Sequence, residues 1–167
     1  MKFNLTVASI KDQKVINNLM QFYIYDFSEF IELDVEGDGF FGAYPGLEDY
    51  WKDGSDRFPY IIKMEEKYAG FALVRFIRSG TENYFSIAEF FILKKYRRKG
   101  IGSAAAMQLF DMHTGHWEVY QKEGNKPARV FWNRVINEYA KGRFKERFEN
   151  GKWIQDFISR VQENGLT

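Results

Sequence analysis

Two spacings of apolar side chains alternate along this chain. Phe3 to Ala8 (FNLTVA) switches between apolar and polar positions, the period of a half-buried strand. Over Lys11 to Phe30 the spacing changes: Val15, Ile16, Leu19, Met20, Tyr23, Phe27 and Phe30 recur near the helical period. Ile31 to Gly46 is rich in glycine and acids and predicts a loop, and Leu47 to Trp51 predicts a short helix. Pro59 to Met64, Tyr68 to Ile77 and Tyr84 to Leu93 are dense in Phe, Tyr, Ile and Val and predict three strands. Glu65-Glu66-Lys67 and Arg78 to Asn83 form the turns between them.

The second half continues with a helix over Ile101 to Met112, where Ile101, Ala105, Leu109 and Met112 share one face. Trp117 to Gln121 predicts a fifth strand. Pro127 suits the first turn of a helix that runs to Lys141 and stops at Gly142. Phe144 to Glu149 and Lys152 to Ile158 flank Asn150-Gly151, a strong hairpin signal. The order is strand, two helices, three strands, helix, strand, helix, two strands. It predicts a mixed α/β sheet with helices on both faces. Short turns make the middle strands antiparallel, and strands joined through helices are expected to be parallel.

A length of 167 residues favours one domain spanning 1–167. Hydrophobic residues make up 45% and aromatics 19%, enough for a core and against disorder. The formal net charge is +1, so any electrostatic function must come from local asymmetry. The absence of cysteine excludes disulfides, thiolate metal sites and a Cys nucleophile, and no metal site is expected. The N-terminus lacks the apolar stretch of a signal peptide, and no segment is apolar for the length of a membrane span. The expectation is a cytoplasmic protein that engages neither membrane nor nucleic acid.

One asymmetry lies at Lys94, Lys95, Arg97, Arg98 and Lys99, which lead into Gly100-Ile101-Gly102 between a strand and a helix. Backbone N–H groups in such a turn point into one concavity, and the helix start adds the positive end of its dipole. Glycines at 100 and 102 admit a phosphate close to the backbone, and Ser103 adds a hydroxyl. No Gly-Lys-Ser/Thr follows and the third Gly of a dinucleotide fingerprint is absent, so neither of those loops is present. Near-neutral charge and the glycine context argue against a nucleic-acid patch.

Arg97-x-x-Gly100-x-Gly102, directly after an apolar strand and opening a helix, resembles the acyl-CoA signature of the GNAT acetyltransferases. Glu89-Phe90-Phe91-Ile92, followed by Tyr96-Arg97 and Lys99 to Ser103, resembles the diamine and polyamine branch. Asn125-x-x-Ala128-x-x-Phe131 resembles a second family segment, and the element order is similar over nearly the whole chain. The resemblance implies a mostly antiparallel sheet of about seven strands and acetyl-CoA (coenzyme A) as cofactor. It implies that the backbone of Phe91, Ile92 and Leu93 pairs with the pantetheine arm. The pyrophosphate would lie on the N–H groups of Arg98, Lys99, Gly100, Ile101, Gly102 and Ser103, with Arg97 leading in. Asn125 and Phe131 would line the cofactor's other side, where strands four and five splay apart. Lys94 and Lys95 either steer the cofactor or sit in a solvated turn. Dimers are common in the family, and the terminal hairpin could pair across a two-fold in a homodimer.

Acetyl transfer to an amine needs a neutral amine, an oriented thioester and a departing thiolate. Glu89, in the otherwise apolar FSIAEFFIL, is the candidate carboxylate. It either takes the amine's proton or orients a cationic acceptor; the bland alternative is an outward position with a salt-bridge partner. In the branch it resembles, the base falls one position earlier, at Ala88 here. Many family members carry a Tyr, as acid for the thiolate, where this chain has Trp132, whose indole N–H donates but is not released near neutral pH. Tyr139 is two helical turns on, about 10.5 Å, and reads as core or rim. His113 and His116 read as structural or solvated.

Between Lys14 and Lys52 there is no Lys or Arg, while Asp26, Glu29, Glu32, Asp34, Glu36, Asp38, Glu48 and Asp49 alternate with aromatics. This is either a solvated face and loop or an acidic, aromatic wall suited to a cationic amine. With the resemblance, the candidate acceptor residues are Tyr25, Asp26, Glu32, Asp34 and Trp132. The expectation is an N-acetyltransferase acting on a primary amine of a small cationic acceptor. The alternative is a GNAT module that binds acyl-CoA without turnover.

Overall fold

Periodicity and turn chemistry translate into strands β1 (Phe3–Val7), β2 (Arg57–Met64), β3 (Lys67–Ile77), β4 (Tyr84–Ile92), β5 (Gly115–Lys122), β6 (Phe144–Glu149) and β7 (Lys152–Ser159). The helices are α1 (Gln13–Phe27), α2 (Ile101–Met112) and α3 (Lys126–Ala140). These elements belong to a computed structural model that describes residues 2–54 and 56–160. The strands form one sheet in the order β1-β2-β3-β4-β5-β7-β6. β4 and β5 are parallel, and β1–β2, β2–β3, β5–β7 and β6–β7 are antiparallel. The mixed, mostly antiparallel seven-stranded sheet expected from the sequence is therefore present.

One expectation is corrected. β1 and β2, though joined through α1, are antiparallel, with Val7 opposite Tyr60. A helix alone would return the chain for a parallel strand. Here residues 28–56 carry it back again, and Trp51 Nε1 donates to Ala8 O over 3.0 Å where that crossing ends. Pro59 sits inside β2 because its carbonyl, which accepts from Ala8 N, faces the side on which the β1 pairing has ended. Leu47–Trp51 forms a 3-10 turn, and β2 begins before Pro59.

The residues group into two compact units, with β3 and β4 contributing to each. The first comprises residues 2–75 and 88–97. Its core joins Ile16, Leu19 and Met20 of α1 to Ile61, Phe71, Leu73 and Phe91 on the strands. Close backbone approach is needed between β3 and β4: a Cβ on Gly70 would lie 2.0 Å from Phe91 O. The second unit comprises residues 76–87 and 98–160. Its core is aromatic, with the Phe110 ring 5.0 Å from Trp117 and 4.9 Å from Phe157. Ser159 Oγ closes one end by accepting from Trp117 Nε1.

Candidate functional site

Period-two alternation puts Glu89 on the same face of β4 as Phe91, whose side chain enters the α1 core. Glu89 therefore points toward α1 and away from bulk water. Tyr44, in the segment after α1, donates to Glu89 Oε1 over 2.8 Å, and Tyr23 of α1 donates as well. The Tyr23 ring packs 5.9 Å from Phe91, which fixes its position. Burial pushes the Glu89 carboxyl above its ordinary range, and the two phenols partly offset that. No cation pairs with it among the described residues. The arrangement suits a carboxyl that holds a proton more tightly than an exposed one and can take one from a substrate.

The segment after α1 is anchored at both ends of this site. Phe41 N donates to Gln21 Oε1 on α1 over 2.9 Å, three residues before Tyr44 reaches Glu89. Glu32 and Asp34 are exposed, and Tyr25 is 67% exposed on α1. Asp26 differs from these. Lys94 Nζ lies 3.2 Å from it and Arg97 bonds it directly, so two cations already neutralise it. Burial alone would raise the Asp26 pKa, but the bonds and charges of Arg97 and Lys94 outweigh it, and the net shift is downward.

Arg97 is held on three sides. Its Nε donates to Ile92 O over 2.7 Å, its guanidinium bonds Asp26, and it lies 5.5 Å over the Phe91 ring. Leu93 N donates to Ala69 O on β3. By alternation, Ile92 is the residue of Phe91-Ile92-Leu93 whose backbone faces away from β3.

In the second unit, the turn before α2 has the geometry of an anion cradle. Arg98 has φ +60° and Gly100 φ +78°, so left-handed residues alternate with their neighbours and aim successive N–H groups inward. A non-glycine residue in that region costs about 1 kcal/mol or more, a strain that collects at binding sites. A Cβ built on Gly100 would meet nothing within 4 Å, so the turn opens onto free space. Ala104 N is the first to bond back, to Gly100 O, which leaves the N–H groups of Ile101, Gly102 and Ser103 without helical acceptors. This donor set fits a phosphorylated cofactor. Lys99 is exposed on the same turn.

On α3, the Asn125 side chain caps the helix by accepting from Ala128 N over 3.2 Å. Phe131 is half-buried, with the Arg134 guanidinium 6.0 Å from its ring. Trp132 is 6% exposed and packs on Phe110 and Phe131, which makes it part of this unit's core. Tyr139 donates to Asp111 over 2.7 Å. His113 sits against Phe85, and burial lowers its pKa. His116 lies between Glu82 and Asp156. Among the described residues, His116, Glu118 and Asp156 bring potential ligand atoms within 4.8 Å of one another, but Arg147 pairs with both carboxylates. The group reads as an ion-pair network.

The sequence reading missed Tyr23 and Tyr44 as partners of Glu89, and the bond from Arg134 Nη2 to Ser103 Oγ. No local signal marks them, because each acts on an element distant in the chain. No helix among the described residues is long and apolar enough to cross a membrane.

The sequence model described as the acetyltransferase (GNAT) family matches residues 21–136. A comparison with curated proteins found no match. Among solved structures, the chain is similar to an acetyltransferase from Thermus thermophilus, at TM-score 0.65 and 11% identity, over 94% of this chain and 98% of that one. It is similar to the ribosomal-protein-S18-alanine N-acetyltransferase from Escherichia coli, at TM-score 0.59 and 12% identity, over 99% and 100%. It is similar to Arabidopsis thaliana NAA60 in complex with a bisubstrate analogue, at TM-score 0.59 and 11% identity, over 94% and 98%. These likenesses are of fold.

Proposed function

Because the chain belongs to the acetyltransferase (GNAT) family, we propose that it moves an acetyl group from acetyl-CoA directly to a primary amine of a small, cationic acceptor. The observation that carries this reading is Glu89, a partly buried carboxyl with a raised pKa, held by two phenols on the strand that leads into the anion cradle. Acetyl-CoA, when bound, supplies the thioester. The N–H groups of Arg98 to Ser103 would hold its pyrophosphate, and the Ile92 backbone would pair with its pantetheine arm. Asn125, at the start of α3, and Phe131 would line the cofactor, while Arg97 orders the approach to the turn through Asp26 and Ile92 O.

Glu89 takes the proton of the attacking amine as the nitrogen–carbon bond forms and the carbon–sulfur bond breaks. Trp132, buried in its core, gives no proton to the thiolate, which is protonated from solvent. Glu32, Asp34 and Tyr25, each exposed, are the acidic and aromatic groups assigned here to a cationic acceptor. The name of one fold neighbour gives a ribosomal-protein alanine as acceptor, which makes a peptide amine the competitor to test. We read the chain as one cytoplasmic acyltransferase domain.

The experiment is release of free thiol from acetyl-CoA in the presence of pooled amines: polyamines, amino acids, aminoglycosides and short peptides. The protein has no cysteine and is silent in the assay. Turnover with a cationic small amine is expected. Turnover only with peptides would replace the acceptor class. Binding of acetyl-CoA without turnover in any pool would favour a sensor module instead, the reading to which the burial of Trp132 points.

A further inference from the structure

The run Lys94 to Lys99 suggests at first that its cations meet the cofactor's phosphates. The structure assigns two of them elsewhere: Lys94 and Arg97 are both spent on Asp26. Arg57, Arg129 and Arg147 also each meet a carboxylate. Arg134 of α3 does not. Among the described residues it makes no ion pair, and its Nη2 donates to Ser103 Oγ over 3.3 Å. Its guanidinium lies 6.0 Å from the Phe131 ring, which limits where it can swing.

Ser103 is the third residue of α2, within the turn whose N–H groups lack helical acceptors. Arg134 thus places an exposed cation beside the positive end of a helix, where a cation is disfavoured. A hydroxyl does not neutralise it. An anion at the helix start would answer both the guanidinium and the backbone donors, and a planar fork matches phosphate oxygens two at a time.

We propose that Arg134 is a side-chain phosphate ligand of the cofactor, an assignment that rests on the acetyl-CoA reading above. Its role is binding, with no part in proton transfer.

The test is calorimetric titration of the full chain with acetyl-CoA and with acetyl-dephospho-CoA, which lacks the 3′-phosphate. Arg134→Ala should weaken acetyl-CoA binding by about tenfold or more, the usual worth of a charged hydrogen bond. Arg134→Lys should recover part of that as a point charge without the fork. Arg134→Gln keeps the stem over Phe131 and guards against a folding artefact, with the melting temperature as control. An equal penalty with both ligands supports contact with the pyrophosphate; a penalty confined to acetyl-CoA supports contact with the 3′-phosphate. Alanine and glutamine variants that bind as tightly as wild type would overturn the assignment while leaving the cofactor reading intact. Failure of the wild-type chain to bind acetyl-CoA would overturn the cofactor reading, and the assignment with it.

Discussion

The Tyr44 hydroxyl donates to Glu89 Oε1 over 2.8 Å, joining the segment after α1 to the middle of β4. Glu89 is pushed up by burial, and the phenols of Tyr23 and Tyr44 oppose that shift. If ionised Glu89 is the base, kcat should fall as pH drops through its raised pKa, above the usual carboxylate value near 4.3. Glu89→Gln should lower kcat by about 10²–10⁴-fold. Tyr44→Phe removes one opposing bond, so the acid limb of the kcat profile should move to higher pH while the plateau is kept. A profile that stays in place would sink the Tyr44 assignment.

The same carboxyl has a stability signature. The folded state holds the Glu89 proton more tightly than the unfolded chain does. Stability contributed by this group therefore falls as pH rises from the unfolded pKa through the folded one. Glu89→Gln removes that loss and should be at least as stable as wild type at neutral pH in urea denaturation, even though activity is lost. A marked drop in the urea midpoint at neutral pH would mean that ionised Glu89 holds the fold together.

Gly70 faces the Phe91 carbonyl at a distance no side chain tolerates. Gly70→Ala must push β3 and β4 apart at the residues that lead to the anion cradle. A loss of about 1–3 kcal/mol, the range of an overpacked core, is expected from urea unfolding. Wild-type stability in this variant would show that β4 can shift without cost.

The elements legible in the sequence were those with local causes. Alternation marked β1, helical spacing marked α1 and α2, and Asn150-Gly151, both at positive φ, marked the β6–β7 hairpin. The anion turn was legible for the same reason, since its glycine and its bases are contiguous. What depended on distant partners was not legible. Nothing near Asp26 tells that Lys94 and Arg97 consume its charge, and nothing near Tyr44 tells that it reaches Glu89, a residue 45 positions away. The direction of β2 was hidden too, because it depends on how residues 28–56 cross back.

The β2–β3 turn shows a local rule broken. Glu65 and Glu66 occupy φ +47° and +66°, the left-handed pair that Asn-Gly adopts with least strain. Replacing them by Asn-Gly should stabilise the protein by about 1 kcal/mol and raise the melting temperature by about 2–4 °C. The bond from Asn4 to Glu66 is exposed and its loss should cost little. A lower melting temperature would show that this contact matters more than turn strain.

Glu146 provides the clearest acid dependence. Arg129 bonds it at 2.7 Å, burial opposes, and Gln155 and Asn133 add further donors; its pKa is lowered from 4.5 to about 2. Because the folded pKa is depressed, its contribution is fully present above the unfolded value. That contribution is lost as pH falls from about 4.5 toward about 2. The side chain is 21% exposed, so solvent screening keeps the contribution near that of a charged hydrogen bond, about 2 kcal/mol. Glu146→Gln should lose this at neutral pH and should flatten the stability profile between those limits. Equal slopes for the variant and wild type in urea unfolding from pH 5 to pH 2.5 would place the acid sensitivity elsewhere. The carboxylates to test next would then be Asp26, whose pKa Arg97 and Lys94 hold down against burial, and Asp49, held down first by its bond to Lys52.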